Sequence, residues 1–176
     1  YLMFKYANFQ FGYADSGPTR LGYHNGGWNN APVGAGMNTK QWYHFAMVRT
    51  GGLIKVYIDG VEVISSNAGA TDNINEGKFK INGSHDSSGY GFSGGISHSQ
   101  LRFSSKAVYT GAFTPPVNLS KTGGTYESTT NVSNPTASET ELFTLIRPNA
   151  SGLIIDESDN SISITKNGTF KFDQYG

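Results

Sequence analysis

Cysteine is absent from these 176 residues. That removes disulfides and thiolate metal sites together, and it weighs against a secreted animal domain, a class often cross-linked at this size. Charge of neither sign is in excess: Lys+Arg 13 against Asp+Glu 13 leaves a formal net charge of zero. Bulk electrostatics therefore draws the chain neither to nucleic acid nor to an anionic membrane. No apolar run is long enough to span a bilayer. No amphipathic helix of useful length is visible, and residues 122–138 have no apolar periodicity. No opening stretch reads as a signal peptide. The chain opens on Tyr1 rather than Met, inside what reads as a strand over residues 2–6, which suggests a piece of a longer protein.

What is present suits strands and turns. Glycine is plentiful at 23 residues, and aromatics reach 13%. Phe9, Phe11 and Tyr13 alternate with Gln10 and Gly12, the period-two mark of a half-buried strand. Residues 15–18 read as a turn, 19–24 as the returning strand and 25–38 as loop. Residues 78–82, 92–104, 142–146, 153–155 and 162–164 carry further strand signals, and Asn167-Gly168 a hairpin turn. Residues 106–111 suggest a short helical turn before Pro115-Pro116. Residues 122–138 read as a linker or a meandering surface segment.

The densest signal is residues 42–63, WYHFAMVRTGGLIKVYIDGVEV. Asp59-Gly60 favours a type I′ hairpin turn, because both central residues need positive φ. It pairs Ile58 with Val61, Tyr57 with Glu62 and Val56 with Val63. Cross-strand partners share a face. One face is then dry, with Ile54, Val56, Ile58, Val61 and Val63. The other is wet, with Lys55, Tyr57 and Glu62. A sheet with one dry face packs on a second layer, so the fold class is all-β: an antiparallel β-sandwich.

Two motifs carry a resemblance. The first is Trp42-Tyr43-His44, Arg49, Gly51-Gly52, then Tyr57-Ile58-Asp59-Gly60 and Val61-Glu62-Val63. The second is Phe92-Ser93-Gly94-Gly95-Ile96, Leu101-Arg102-Phe103-Ser104, and Ala107-Val108-Tyr109-Thr110-Gly111-Ala112-Phe113-Thr114-Pro115-Pro116. In this order they resemble the laminin-G-like, concanavalin A-like jelly-roll family, and the second resembles the form found in tailed-bacteriophage virion proteins. The resemblance covers residues 1–120. Residues 121–139 read as a Ser/Thr/Gly-rich connection, and 140–176 as a strand segment that completes the sandwich or opens a following repeat. It implies a non-catalytic structural or adhesion domain on the virion. Its partners would be other virion proteins, copies of itself, or a host-surface glycan. A secreted or cell-surface lectin binding glycan with calcium is the alternative, and a jelly-roll glycoside hydrolase the third.

The residues weigh these classes. Glycoside hydrolysis needs two carboxylates across the scissile bond. Glu139 with Glu141, and Asp156 with Glu157 and Asp159, are the close acids, and solvated turns explain them better. Glu62 reads as a diagonal partner of Lys55. His24, His44, His85 and His98 show no metal-ligand spacing. Asp72, Asn73, Asn75, Glu76 and Asp86 are oxygen-rich, but Asx turns fit them better than calcium, so no metal or other cofactor is expected. Glycans stack on aromatic rings while amides and carboxylates hold their hydroxyls. Two candidate sites follow: Tyr23, Trp28 and Asn29 with His24 and Asn25, and Asn82, Asp86 and Tyr90.

Overall fold

The computed structural model describes residues 3–6, 9–14, 20–24, 28–32, 38, 41–67, 80–81, 98–145 and 154–165, and the side chains of 38, 41–65, 98–145 and 154–165. Every regular element among them is a strand: β1 (Met3–Tyr6), β2 (Phe9–Ala14), β3 (Arg20–His24), β4 (Trp28–Pro32), β5 (Phe45–Thr50), β6 (Leu53–Ile58), β7 (Val61–Asn67), β8 (Lys80–Ile81), β9 (Leu101–Ser104), β10 (Asn118–Ser120), β11 (Gly123–Thr125) and β12 (Thr140–Thr144). All strand pairs are antiparallel. The chain forms two compact units, Tyr1–Ile96 and Ser97–Gly176.

The first unit holds a five-stranded sheet in the order β4-β3-β2-β1-β8 and a three-stranded sheet in the order β5-β6-β7. β2, with its alternating aromatics, pairs with β3 from Gln10↔His24 to Ala14↔Arg20. Against the loop expected over residues 25–38, β4 is a strand paired with β3 from His24↔Trp28 to Arg20↔Pro32. Its asparagines and proline are weak strand formers. It is the edge strand of the sheet, where a neighbour supplies the pairing and a missing proline N–H is tolerated.

The central hairpin turns as expected, with Asp59 at φ 48 and Gly60 at φ 79. Ile58↔Val61 and Tyr57↔Glu62 pair as read from the sequence. Val56 does not pair with Val63. Its partner is Ile64, because the register shifts between Val56 and Tyr57 and Val63 is the extra residue of a bulge. The wet face also needs correction. Tyr57 is 0% exposed, and Ala46, its partner across β5, is buried too. Val61, assigned to the dry face, is 63% exposed. So β6 is covered on both sides at its middle, and the hairpin tip extends past the cover. Ile54, Val56 and Ile64 are buried as a dry face requires.

The second unit holds two pairs, β9 with β12 and β10 with β11. Its core is Val108, Tyr109, Phe113, Leu142 and Phe143, with Thr140 and Thr144 buried among them. Tyr109 and Phe113 stack with ring centroids 3.6 Å apart and planes 5° from parallel. Residues 106–111 make no helical turn; Tyr109 instead bridges Val132. That bridge, with β11 and the buried Pro135, makes the Ser/Thr-rich stretch an ordered part of the unit. The described parts of the strand signals at 153–155 and 162–164 are not strands. Hydrogen bonds donated by backbone N–H groups to the Asp156 carboxylate shape that segment instead.

Candidate functional site

The first glycan candidate lies on a hairpin rather than a loop. Tyr23 and His24 are on β3, and Trp28 and Asn29 on β4. The register sets Tyr23 opposite Asn29 and His24 opposite Trp28. Directly opposite positions share a face and successive ones alternate. Tyr23 with Asn29 therefore takes one face of the sheet, and Trp28 with His24 the other. Asn25 lies outside the described residues, as do Asn82, Asp86 and Tyr90 of the second candidate. Asp72, Asn73, Asn75, Glu76 and His85 also fall outside them.

An aromatic not nominated from the sequence stands on the surface. Trp42, which leads into β5, is 62% exposed. The loop that carries it is tied down by its own bonds. The Asn38 N–H donates to the Tyr43 hydroxyl at 2.8 Å, and the Asn38 amide to Gln41 Oε1 at 3.3 Å. Tyr43 in turn packs on Phe45, ring centroids 6.3 Å apart. An exposed indole is an amphipathic surface, suited to a sugar ring. The only signal for it was Trp42 itself, which the strand pattern had absorbed.

Six of the described acids are bound into the fold. Asp59 Oδ1 accepts from the His44 N–H at 2.8 Å, while the Asp59 N–H donates to the His44 carbonyl at 2.9 Å. The turn residue thus also clamps the start of β5, a second role its turn signal hides. Glu62 meets Lys55 at 2.7 Å, as the diagonal pairing predicts, and this bond raises the lysine above its ordinary range. Burial pushes the Tyr57 hydroxyl up beside them. In the second unit Glu139 accepts from the Thr136 N–H at 2.8 Å and its hydroxyl at 3.1 Å, with Lys106 at 3.8 Å. This is one half of a capping box without a helix behind it, since the Glu139 N–H bonds the Thr136 carbonyl rather than its hydroxyl. The backbone bond from Thr136 is the main reason Glu139 titrates below its usual range. Glu141 accepts from Asn160 at 3.2 Å, and Asp159 pairs with Lys121 at 2.6 Å.

Asp156 is the most connected of them. It accepts the Phe143 and Ser158 N–H groups at 2.9 Å, the Ser158 hydroxyl at 2.7 Å and the Ile162 N–H at 2.8 Å. Burial alone would raise its pKa, but these bonds together outweigh burial and hold it low. Elsewhere, burial pushes His98 down. Burial and the Tyr126 hydroxyl at 3.4 Å push Tyr109 far up. Among the described residues, no group of three His, Asp or Glu side chains is placed to hold a metal ion.

An all-β chain of antiparallel sheets, with a glycine-turned hairpin at its centre and six of its described acids used as ties, is the class of protein this geometry defines. The sequence matches the laminin G family model of the concanavalin A-like lectin/glucanases superfamily over residues 1–112. The chain belongs to that superfamily, and its fold is the concanavalin A-like β-sandwich. No curated protein and no solved structure matches it.

Proposed function

We propose that the chain is a non-catalytic structural and adhesion domain of a tailed-phage virion, on a tail fibre, the baseplate or the capsid surface. Its partners are other virion proteins or further copies of itself, and it contacts host-surface glycan. The observation that carries the non-catalytic reading is the commitment of six of the described carboxylates. Asp59, Glu62, Glu139, Glu141, Asp156 and Asp159 each hold a turn, a loop or a lysine. Glycoside hydrolysis asks for one carboxyl free to donate a proton and a second free to act as base or nucleophile. The virion setting rests on the resemblance of residues 107–116. In the fold that stretch carries the Tyr109–Phe113 stack at the centre of the second unit. The exposed Trp42 supports the adhesive role.

The setting is tested by mass spectrometry of density-banded, nuclease-treated particles from the source culture. Peptides of this chain should band with the particles, and their recovery only from the soluble fraction would overturn the reading. Adhesion is tested on a glycan array with the wild-type chain and the Trp42→Ala and Trp28→Ala variants. Saturable binding lost in Trp42→Ala is expected, with no turnover of any bound glycan. Turnover would transfer the chain to the hydrolases.

A further inference from the structure

The outer edge of β12 is closed by a loop and its side chains rather than by a strand. In an antiparallel pair, the main-chain groups of alternate residues point away from the partner. On β12, which pairs with β9, Phe143 occupies such an outward position, and Glu141, left unpaired where the register shifts between Thr140 and Leu142, also turns its carbonyl outward. The Phe143 N–H donates to Asp156 Oδ1 at 2.9 Å, and the Phe143 carbonyl accepts from the Glu157 N–H at 2.6 Å. Those two bonds are what a residue of a neighbouring strand would make, with a carboxylate standing in for the main-chain carbonyl. Two residues back, the Glu141 carbonyl accepts from the Asn160 amide at 3.0 Å. The Ser158 hydroxyl lies 3.2 Å from the same carbonyl and 2.7 Å from Asp156 Oδ2, so its single proton serves the carboxylate.

The loop that does this hangs on polar contacts. Ser158 is buried, and the Ile162 N–H also bonds Asp156. The apolar residues flanking it, Ile155 and Ile162, are 45% and 48% exposed and anchor it little. By contrast, Leu142 and Phe143 of β12 are core residues. Removing one carboxylate should therefore release the loop and leave the strand in place.

We infer that residues 156–160 are a detachable guard on a strand edge, and that β12 of a second copy of the chain pairs with that edge when the guard is released. A bare edge is a template for further strand pairing. The second copy presents the same bare edge, so the two can join antiparallel about a two-fold axis, each edge satisfying the other.

The test uses the full chain carrying Asp156→Ala. Sedimentation velocity over a concentration series should show one association step beyond the wild type. The Phe143 amide should exchange quickly in the dilute variant and slowly in the concentrated one. A labelled peptide of residues 138–146 should be taken up by the variant and not by the wild type. A folded variant with wild-type mass at every concentration and no peptide uptake would overturn the inference. Association without peptide uptake would overturn it as well, since that is aggregation by another surface. If Asp156→Ala unfolds, the wild-type chain decides in a urea series below its unfolding transition. The Phe143 amide should exchange and the 138–146 peptide be taken up while the β9–β12 ladder is still protected, and uptake only with global unfolding would overturn the inference.

Discussion

Asp156 shows how much one side chain can organise where no regular element forms. Four donors from three residues converge on it, and they tie residues 156–162 to β12. Hydrogen bonds to a charged group contribute about 1.5–3 kcal/mol each when removal leaves a donor stranded. Some of these donors can find water, so Asp156→Ala is expected to cost about 2–4 kcal/mol, read from urea unfolding. Gly124 makes a different demand. A Cβ there would stand 2.6 Å from the Asn118 carbonyl oxygen, which is backbone and cannot swing away. Gly124→Ala should cost about 1–3 kcal/mol in the same measurement, as overpacking does. Gly51 is the control for space, since a Cβ there meets nothing within 4 Å and only its φ of 58 resists substitution. Asp156 was visible in the sequence only as a polar turn. Its role depends on Phe143, thirteen positions away, and composition carries no signal for that contact.

At the scale of elements, local chemistry was legible and burial was not. Asp59-Gly60 could be read as a tight turn because positive φ at two successive residues is a local requirement. Once the turn is set, the first pairs beyond it follow. The bulge at Val63 broke the chain of inference after two pairs. A bulge adds one residue to one strand, and a run of β-branched residues does not mark which one it is. The alternation of Lys55, Tyr57 and Glu62 looked wet because two of the three are charged. Tyr57 lies under cover because the middle of β6 is packed on both faces. Two substitutions measure this directly. Tyr57→Ala should cost about 3–5 kcal/mol, the range for a buried aromatic. Val61→Thr, at the exposed tip, should stay within about 0.5 kcal/mol. Equal costs at the two positions would show that the sequence-derived faces describe the molecule better than the observed burial. The loop expected over residues 25–38 failed for a related reason. β4 is a strand because β3 offers it an edge, and its own residues would not choose to be one.

For the whole molecule, the two units differ in what holds them. The first is tied by strand ladders and, in β5 to β7, by buried apolar residues, the second in large part by carboxylates accepting backbone donors. Asp156 and Glu139 both titrate below their ordinary values of 3.8 and 4.5. A carboxylate depressed by folding contributes stability that is present above its unfolded pKa and lost as pH falls through its folded one. Glu141, Glu157 and Asp159 add negative charge around Asp156, and Lys121 offsets part of it at Asp159. Acidification to about pH 3 should therefore loosen the second unit before the first. Hydrogen exchange would register it as early loss of protection in β11 and β12, with β5 to β7 still protected. Asp156→Ala should remove much of that acid response. By itself the sequence determined the strand class, the central turn, the Lys55–Glu62 pair and the family, because each rests on residues close together in the chain or on a motif in fixed order. Only the tertiary structure decided which face of β6 is covered, that residues 28–32 form an edge strand, and that Asp156 closes the edge of β12. Those outcomes depend on neighbours brought together by folding, and their free energy lies in burial and in bonds between distant positions.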